Sequence, residues 1–268
     1  MRVSRCLCNF LSRSVAGPNT SEVFPLYHSG DGHSINQVNF TLFNTIEHSY
    51  MPHFPSIWKK SIVCFGPLSQ YENAIIKPDH QVREKLIIDE WPDAKHVLAS
   101  ILGNETDQST IIAKLSSHQY SSKTKEALWE YDSILRSIYI LHYIDDITIR
   151  QSVRAALNRG ESYHQLYKAI AHVNGGRFRG GSELEIEIWS ECTRLVASAV
   201  IYYNAYILSS LLENAQTQAE IDFIIQLSPI AWSHINFLGR YEFDQKYTLA
   251  DINKWIKEID VNPKKFRV

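Results

Sequence analysis

Apolar residues recur at Ile149, Val153, Ala156 and Leu157, and again at Tyr163, Leu166, Tyr167, Ile170 and Val173. Spacing by three and four puts one side of a helix into a core, so the pattern predicts one long helix, or two abutting ones, from Asp146 to Gly176. The same periodicity predicts helices near 36–47 (Val38, Phe40, Leu42, Phe43, Ile46), 92–102, 106–118, 122–144, 147–174, 217–226 and 249–259. Asp107, Ser121 or Ser122, and Asp146 stand where helix N-caps belong. Glu183 to Asn214 reads as a long buried helix with Ile188, Cys192, Leu195, Ala199 and Tyr203 on one stripe. Extended structure is sparse: Val23–His28, weakened by Pro25, and Ser61–Phe65 are the candidate strands. Prolines 52, 55, 67 and 78 mark loops between them. The fold class expected is mainly α with a partial α/β element.

Leu195 to Leu212 contains eighteen residues without a charge, long enough to raise the question of a membrane span. Ser198, Asn204, Ser209, Ser210 and three tyrosines lie within it, and Arg194 and Glu213 flank it, so a core helix of a soluble protein is the expectation. The apolar run near Cys6–Leu11 is too short and broken for a signal peptide. The four cysteines, at 6, 8, 64 and 192, fit neither a zinc ribbon nor a disulfide framework, which points to reduced thiols and a cytoplasmic location. At 268 residues and 44% hydrophobic the chain can bury a sizeable core in one large domain or two small ones. A pI near 6.6 argues against a protein that coats DNA through overall charge.

Charge is nevertheless concentrated. Between Asp146 and Gly181 stand Arg150, Arg154, Arg159, Lys168, Arg177 and Arg179 against Asp146 and Glu161, a local charge of +4 in a chain of net −2. A lone carboxylate among cations suits phosphate handling through a metal, and a solvated basic helix face is the plainer alternative. Glu161 adjoins Gly160, which costs about 1 kcal/mol relative to alanine inside a helix. Close helix packing, a break between two helices, or room for a ligand backbone would each account for it. Asp31 sits in Ser29-Gly30-Asp31-Gly32-His33-Ser34, between the first candidate strand and the first helix. Carboxylates at such strand ends are frequent in α/β active sites.

Three stretches taken in order carry a resemblance. They are His28-Ser-Gly-Asp-Gly-His-Ser-Ile-Asn-Gln-Val-Asn-Phe40, Leu157-Asn-Arg-Gly-Glu-Ser-Tyr-His164, and Leu227-Ser-Pro-Ile-Ala-Trp-Ser-His-Ile-Asn-Phe-Leu-Gly-Arg-Tyr241. Together they resemble the C-terminal part of the Tn-three family of transposases, of the class II replicative transposons, from about residue 15 to 245. The resemblance implies an RNase-H-like domain with an Asp-Asp-Glu triad. Asp31 would be the second Asp, and Glu161 the Glu on a helix that follows a long helical insertion, here about 80–145. It further implies Mg²⁺ or Mn²⁺ as cofactor in a two-metal site, expected only with the complete triad, and transposon-end and target DNA as partners. Arg150, Arg154, Arg159, Lys168, Arg177 and Arg179 are then candidates for DNA binding, and His33 and His164 for orienting water or DNA.

Two departures from the family pattern matter. The loop reads Gly-Asp-Gly-His-Ser where the family commonly has threonines around the Asp and a Gly after the His. Residues 1–30 hold no aspartate and only Glu22 as an acid, so the first triad residue has no counterpart here. The chain therefore reads as an incomplete RNase-H-like fold from a truncated or frameshifted gene, inactive alone. Its expected parts are an irregular remnant over 1–22, the catalytic region over 23–245 and a helix with a basic tail over 246–268. A helical remnant that binds DNA or full-length transposase without catalysis is the competing reading. A mainly helical protein with Asp145-Asp146 as its acidic pair is a third.

Overall fold

A computed structural model describes residues 27–30, 37–103, 108–117, 121–172, 181–240 and 248–261. The chain divides into two compact units, Met1–Leu157 and Asn158–Val268, with the boundary inside a helix. Most described residues are helical, as the periodicity requires.

In the first unit, β1 (Tyr27–His28) pairs in parallel with β2 (Ser49–Tyr50), and β3 (Val63–Cys64) in parallel with β4 (His80–Gln81). Helix α1 (Asn39–Thr45) connects the first pair, and α2 (Glu84–Leu102), α3 (Gln108–Ser116) and α4 (Lys123–Asp145) follow. Among the described residues the expected strands are extended at Tyr27–His28 and Val63–Cys64, and the four strands there form two separate two-stranded sheets. The helix expected to begin at residue 92 begins at Glu84 and runs through Pro92. Proline normally ends a helix because it lacks the N–H and crowds the preceding turn. Here Trp91, Ala94, Leu98 and Ile101 share the core with α4, and that burial outweighs the lost hydrogen bond.

Helix α4 is the spine of this unit. Its Trp129 Nε1 donates to Leu115 O at 2.9 Å, Tyr139 Oη to Pro52 O at 2.9 Å, and its Ser137 Oγ receives Val63 N at 3.0 Å. Arg83, just before α2, reaches Glu130 at 2.8 Å and Glu126 at 3.0 Å. The buried Asp132 accepts the backbone N–H of Thr41 at 2.9 Å. Val38, at the start of α1, supplies no side-chain cap, so a carboxylate from another helix satisfies an N–H that the first turn leaves open. Residues 80–145, read as an insertion, thus share one core with residues 38–62.

In the second unit, α6 (Glu183–Asn214), α7 (Gln218–Ile224) and α8 (Leu249–Glu258) each begin with a capping box, formed by Ser182 with Glu185, Thr217 with Glu220, and Thr248 with Asp251. The end of α5 (Ile147–Ala171) joins them through Leu166 and Ile170, which pack on Ala197. The expectation for α6 is overturned. Ile188, Cys192, Leu195, Ala199 and Tyr203 are exposed, and the buried positions are Thr193, Ala197, Asn204 and Leu211 on the opposite side. Small Ala197 lets Leu166 and Ile170 approach, and both N–H groups of the Asn204 amide are used, donating to Pro229 O at 2.9 Å and Ala231 O at 2.7 Å. A hydropathy stripe does not register an amide that finds its partners, so the sequence favoured the wrong side.

Burial pushes the Asp132 carboxyl up to about 7, against the Thr41 bonds and the Arg136 charge that pull it down. The native state therefore holds a proton that the unfolded chain releases near its ordinary value of 3.8. Stability should fall as pH rises from about 4 to 7, by on the order of 4 kcal/mol at most, and level off above. Asp132→Asn keeps an acceptor for Thr41 and should flatten that slope in urea unfolding measured across the range.

Candidate functional site

The local structure around the first motif begins with β1. His28 O accepts Met51 N at 2.8 Å and Gly30 O accepts His53 N at 2.9 Å, so the pairing continues past the two strand residues to the glycine before Asp31. His28 stacks on Phe43 at 4.7 Å between ring centroids, and Phe43 on Tyr50 at 5.1 Å. Burial, with a contribution from His48, lowers the His28 pKa, which favours a neutral imidazole in this stack. The end of β1 is thus held by backbone bonds on one side and by aromatic packing on the other. Asp31 and His33 themselves lie outside the described residues, as do Arg177 and Arg179.

Beside this strand end is a half-open cleft of about 770 Å³ within the first unit. Ser29 just after β1, His48 just before β2 and Tyr50 in β2 line it, with His142 from α4, and Asp146, Ser152 and Ala156 from the α4–α5 corner and α5. Asp146 is committed to that corner: its Oδ1 accepts both the N–H and the hydroxyl of Thr148 at 2.7 Å, and these bonds lower its pKa. It caps α5 as the sequence indicated. Arg150 is committed as well, since its Nη1 donates to Tyr143 O and Ile144 O at 2.6 Å, closing the C-terminal carbonyls of α4.

Helix α5 is a single helix, so Gly160 marks no break. A Cβ placed there would meet nothing within 4 Å, which also removes close packing as its reason. Glu161 is exposed, and its Oε1 receives only a long 3.4 Å bond from Gln165 Nε2. His164 and Lys168 are exposed on the same helix, as are Arg154 and Arg159. Among the described residues no group of three or more His, Cys, Asp or Glu side chains is placed to hold a metal.

The third motif folds onto the second. Ile230, Trp232 and Phe237 pack with Tyr163 against Leu166, Ile170 and Ala197, while the Asn204 amide holds the backbone at Pro229 and Ala231. Two stretches some seventy residues apart in sequence are thereby joined at the helix that carries Glu161. Asn204 was missed by sequence reasoning. Its signal was present as the one amide within the uncharged run of α6.

Comparison with known proteins now decides the family. The model of the Tn3 transposase DDE domain matches residues 15–241. The chain belongs to this family. The transposase for transposon Tn1546 of Enterococcus faecium is 24% identical over 213 residues, covering 79% of this chain and 22% of that protein. The transposase for transposon Tn3926 of Escherichia coli is 25% identical over 231 residues, 81% of this chain and 23% of that protein. The transposase for transposon gamma-delta of Escherichia coli strain K12 is 30% identical over 161 residues, 58% of this chain and 16% of that protein. The chain spans about a fifth of the length of these relatives. No solved structure matches it. The Tn3 DDE match includes all three motif stretches, while the metal and the individual site residues are a separate matter of chemistry.

The capping role of Arg150 predicts a stability effect. Arg150→Ala should cost roughly 1–2 kcal/mol in chemical unfolding, since two charged-donor bonds to helix-end carbonyls are lost. Arg154→Ala, on the exposed side, should stay within about 0.5 kcal/mol of the parent.

Proposed function

We propose that this chain carries two of the three carboxylates of a metal-dependent DNA transposase, Asp31 and Glu161, on an RNase-H-like framework, and that it is inactive by itself. The observation that carries this reading is the family match over residues 15–241, which includes both acids 130 positions apart. Two local features support the reading. Glu161 presents its carboxylate to solvent beside an open glycine, and the backbone leading to Asp31 is held by His53.

Hard carboxylate oxygens are the donors that Mg²⁺ or Mn²⁺ takes, and the weak Gln165 bond leaves Glu161 free to serve as one. Asp31 and Glu161 would be the residues to hold such metal ions, which when bound would supply Lewis-acid stabilisation for phosphoryl transfer. The chain's own residues do the rest. Arg154, Arg159 and Lys168, with Arg177 and Arg179, hold backbone phosphates of transposon-end and target DNA as point charges or forks. Gly160 leaves room for a strand beside the acid, and His33 and His164 orient water or a phosphate. Asp31 and Glu161 are the two acids of the triad that the family pattern matches in these residues. Two carboxylates by themselves would hold a metal pair weakly, which is the basis of the proposed inactivity. Such work places the protein in the cytoplasm, with full-length transposase as a partner.

Three measurements test this. Loaded with Fe²⁺ and treated with ascorbate and peroxide, the chain should be cut near both Asp31 and Glu161, and either Asp31→Asn or Glu161→Gln should abolish both cuts. Cuts at unrelated places would remove the site assignment, and Mg²⁺-dependent nicking of transposon-end DNA by the chain alone would remove the inactivity. For DNA, the slope of log affinity against log salt should become shallower by about one for each of Arg154→Ala and Arg159→Ala.

A further inference from the structure

Helix α6 has two sides that differ in kind. One is used within the second unit, where Thr193, Ala197, Asn204 and Leu211 are buried. On the other, Ile188, Cys192, Leu195, Ala199 and Tyr202 follow one another at intervals of four, three, four and three residues, and all five are exposed. Leu195 is 71% exposed and Tyr202 74%, so the stripe is uncovered rather than grazed by neighbours. Alternation of four and three is the signature of a seam that receives another helix. An uncovered apolar seam of this length marks an interaction surface.

The width of the stripe says what kind of surface covers it. Val196 and Tyr203 extend it on one flank and are 42% exposed. A stripe of this width belongs to a helix facing the core of a globular assembly, whereas a two-stranded coil needs only the narrow seam. The positions that flank a coiled-coil seam are here Val196 and Tyr203 on one side and Ser198 and Ala205 on the other, with Glu191 the only charge among them. They provide no charge pairs to bring two copies of α6 together. A bilayer is a poor fit too. Although α6 is long and apolar enough to cross one, its other side carries the buried Thr193 and Asn204, the latter bonded to a loop. The relatives are about four to six times as long as the segment that this chain matches, and that extra length is protein of the same family.

We propose that the Ile188–Tyr202 stripe of α6 seats an apolar helical surface from the part of a Tn3-family transposase that this chain does not match. Cys192 stands within the stripe as an exposed thiol, while Cys64 is buried, so labelling of the Cys192 peptide reports on coverage.

The experiment co-expresses the 268-residue chain with the Tn1546 transposase from which the matching segment has been deleted. The complex is purified after nuclease treatment in high salt, and Cys192 alkylation is read by mass spectrometry. The chain alone should be a monomer with a fast-reacting Cys192. In the complex, Cys192 alkylation should slow by roughly tenfold or more. Leu195→Asp should leave the melting temperature of the lone chain unchanged and weaken the complex by at least roughly tenfold, the effect of one charge in an apolar seat. Several results would overturn the proposal. A protected Cys192 in a monomeric chain means that the chain covers the stripe itself, and a protected Cys192 in a dimer means that a second copy does. Partition of the chain into vesicles makes the stripe a lipid surface. Absence of a complex, or a complex indifferent to Leu195→Asp, removes the docking seat. None of these results bears on the metal site, since no readout uses activity or metal.

Discussion

The first unit depends on a carboxylate placed where no water reaches it. Asp132 stands on α4, accepts the N–H of Thr41, and so fixes the first turn of α1 against the helix that organises the whole unit. Without that acceptor, a buried N–H would be left unsatisfied in the middle of the core, which a fold of this size tolerates poorly. Once α1 is fixed, Phe40 and Phe43 present their rings to Tyr50 and His28, and those rings in turn back the β1–β2 pair. The strand end that leads to Asp31 is therefore three contacts removed from a polar group far along the chain. The cost of desolvating Asp132 is the cost of that placement.

The second unit is organised differently. Among its described residues no ionisable side chain is buried, and order comes from capping boxes and from one amide. The boxes at Ser182, Thr217 and Thr248 define where three helices start, each through local sequence alone. Asn204 then joins α6 to the loop of the third motif, and the aromatic residues of that loop close on α5 next to Glu161. Local signals place the helices, and a single long-range side chain places the loop.

This difference explains what was legible in the sequence. Val153, Leu166 and Ile170 were readable because period and burial coincide there, whereas Ala156 of the same expected stripe is exposed. Ser122 and Asp146 were readable as caps because their partners lie two or three residues away. The start of α2 was not, because Pro92 is a strong local stop that tertiary burial of Trp91 and Ala94 overrides. The inward side of α6 was misread because hydropathy ranks Leu195 above Asn204, whereas the structure satisfies the amide and leaves the leucine outside. Of the candidate site, Glu161 and its exposed neighbours followed from motif and helix period. The capping role of Arg150 did not, since nothing in the sequence distinguishes a guanidinium folded back on carbonyls from one facing solvent. Asp132 was invisible for a related reason: its partner, Thr41, is 91 positions away.

Asn204 also constrains how this chain can drift. Its two N–H groups are given to backbone carbonyls, at Pro229 and Ala231, and not to any side chain. Every residue type supplies the same carbonyl, so positions 229 and 231 are free to vary as far as this bond is concerned. Position 204 is not, because aspartate or leucine would bury two carbonyls without a donor. The tether is written at one end only. Across descendants of this sequence, change should accumulate at the residues being held and stall at the residue that holds them.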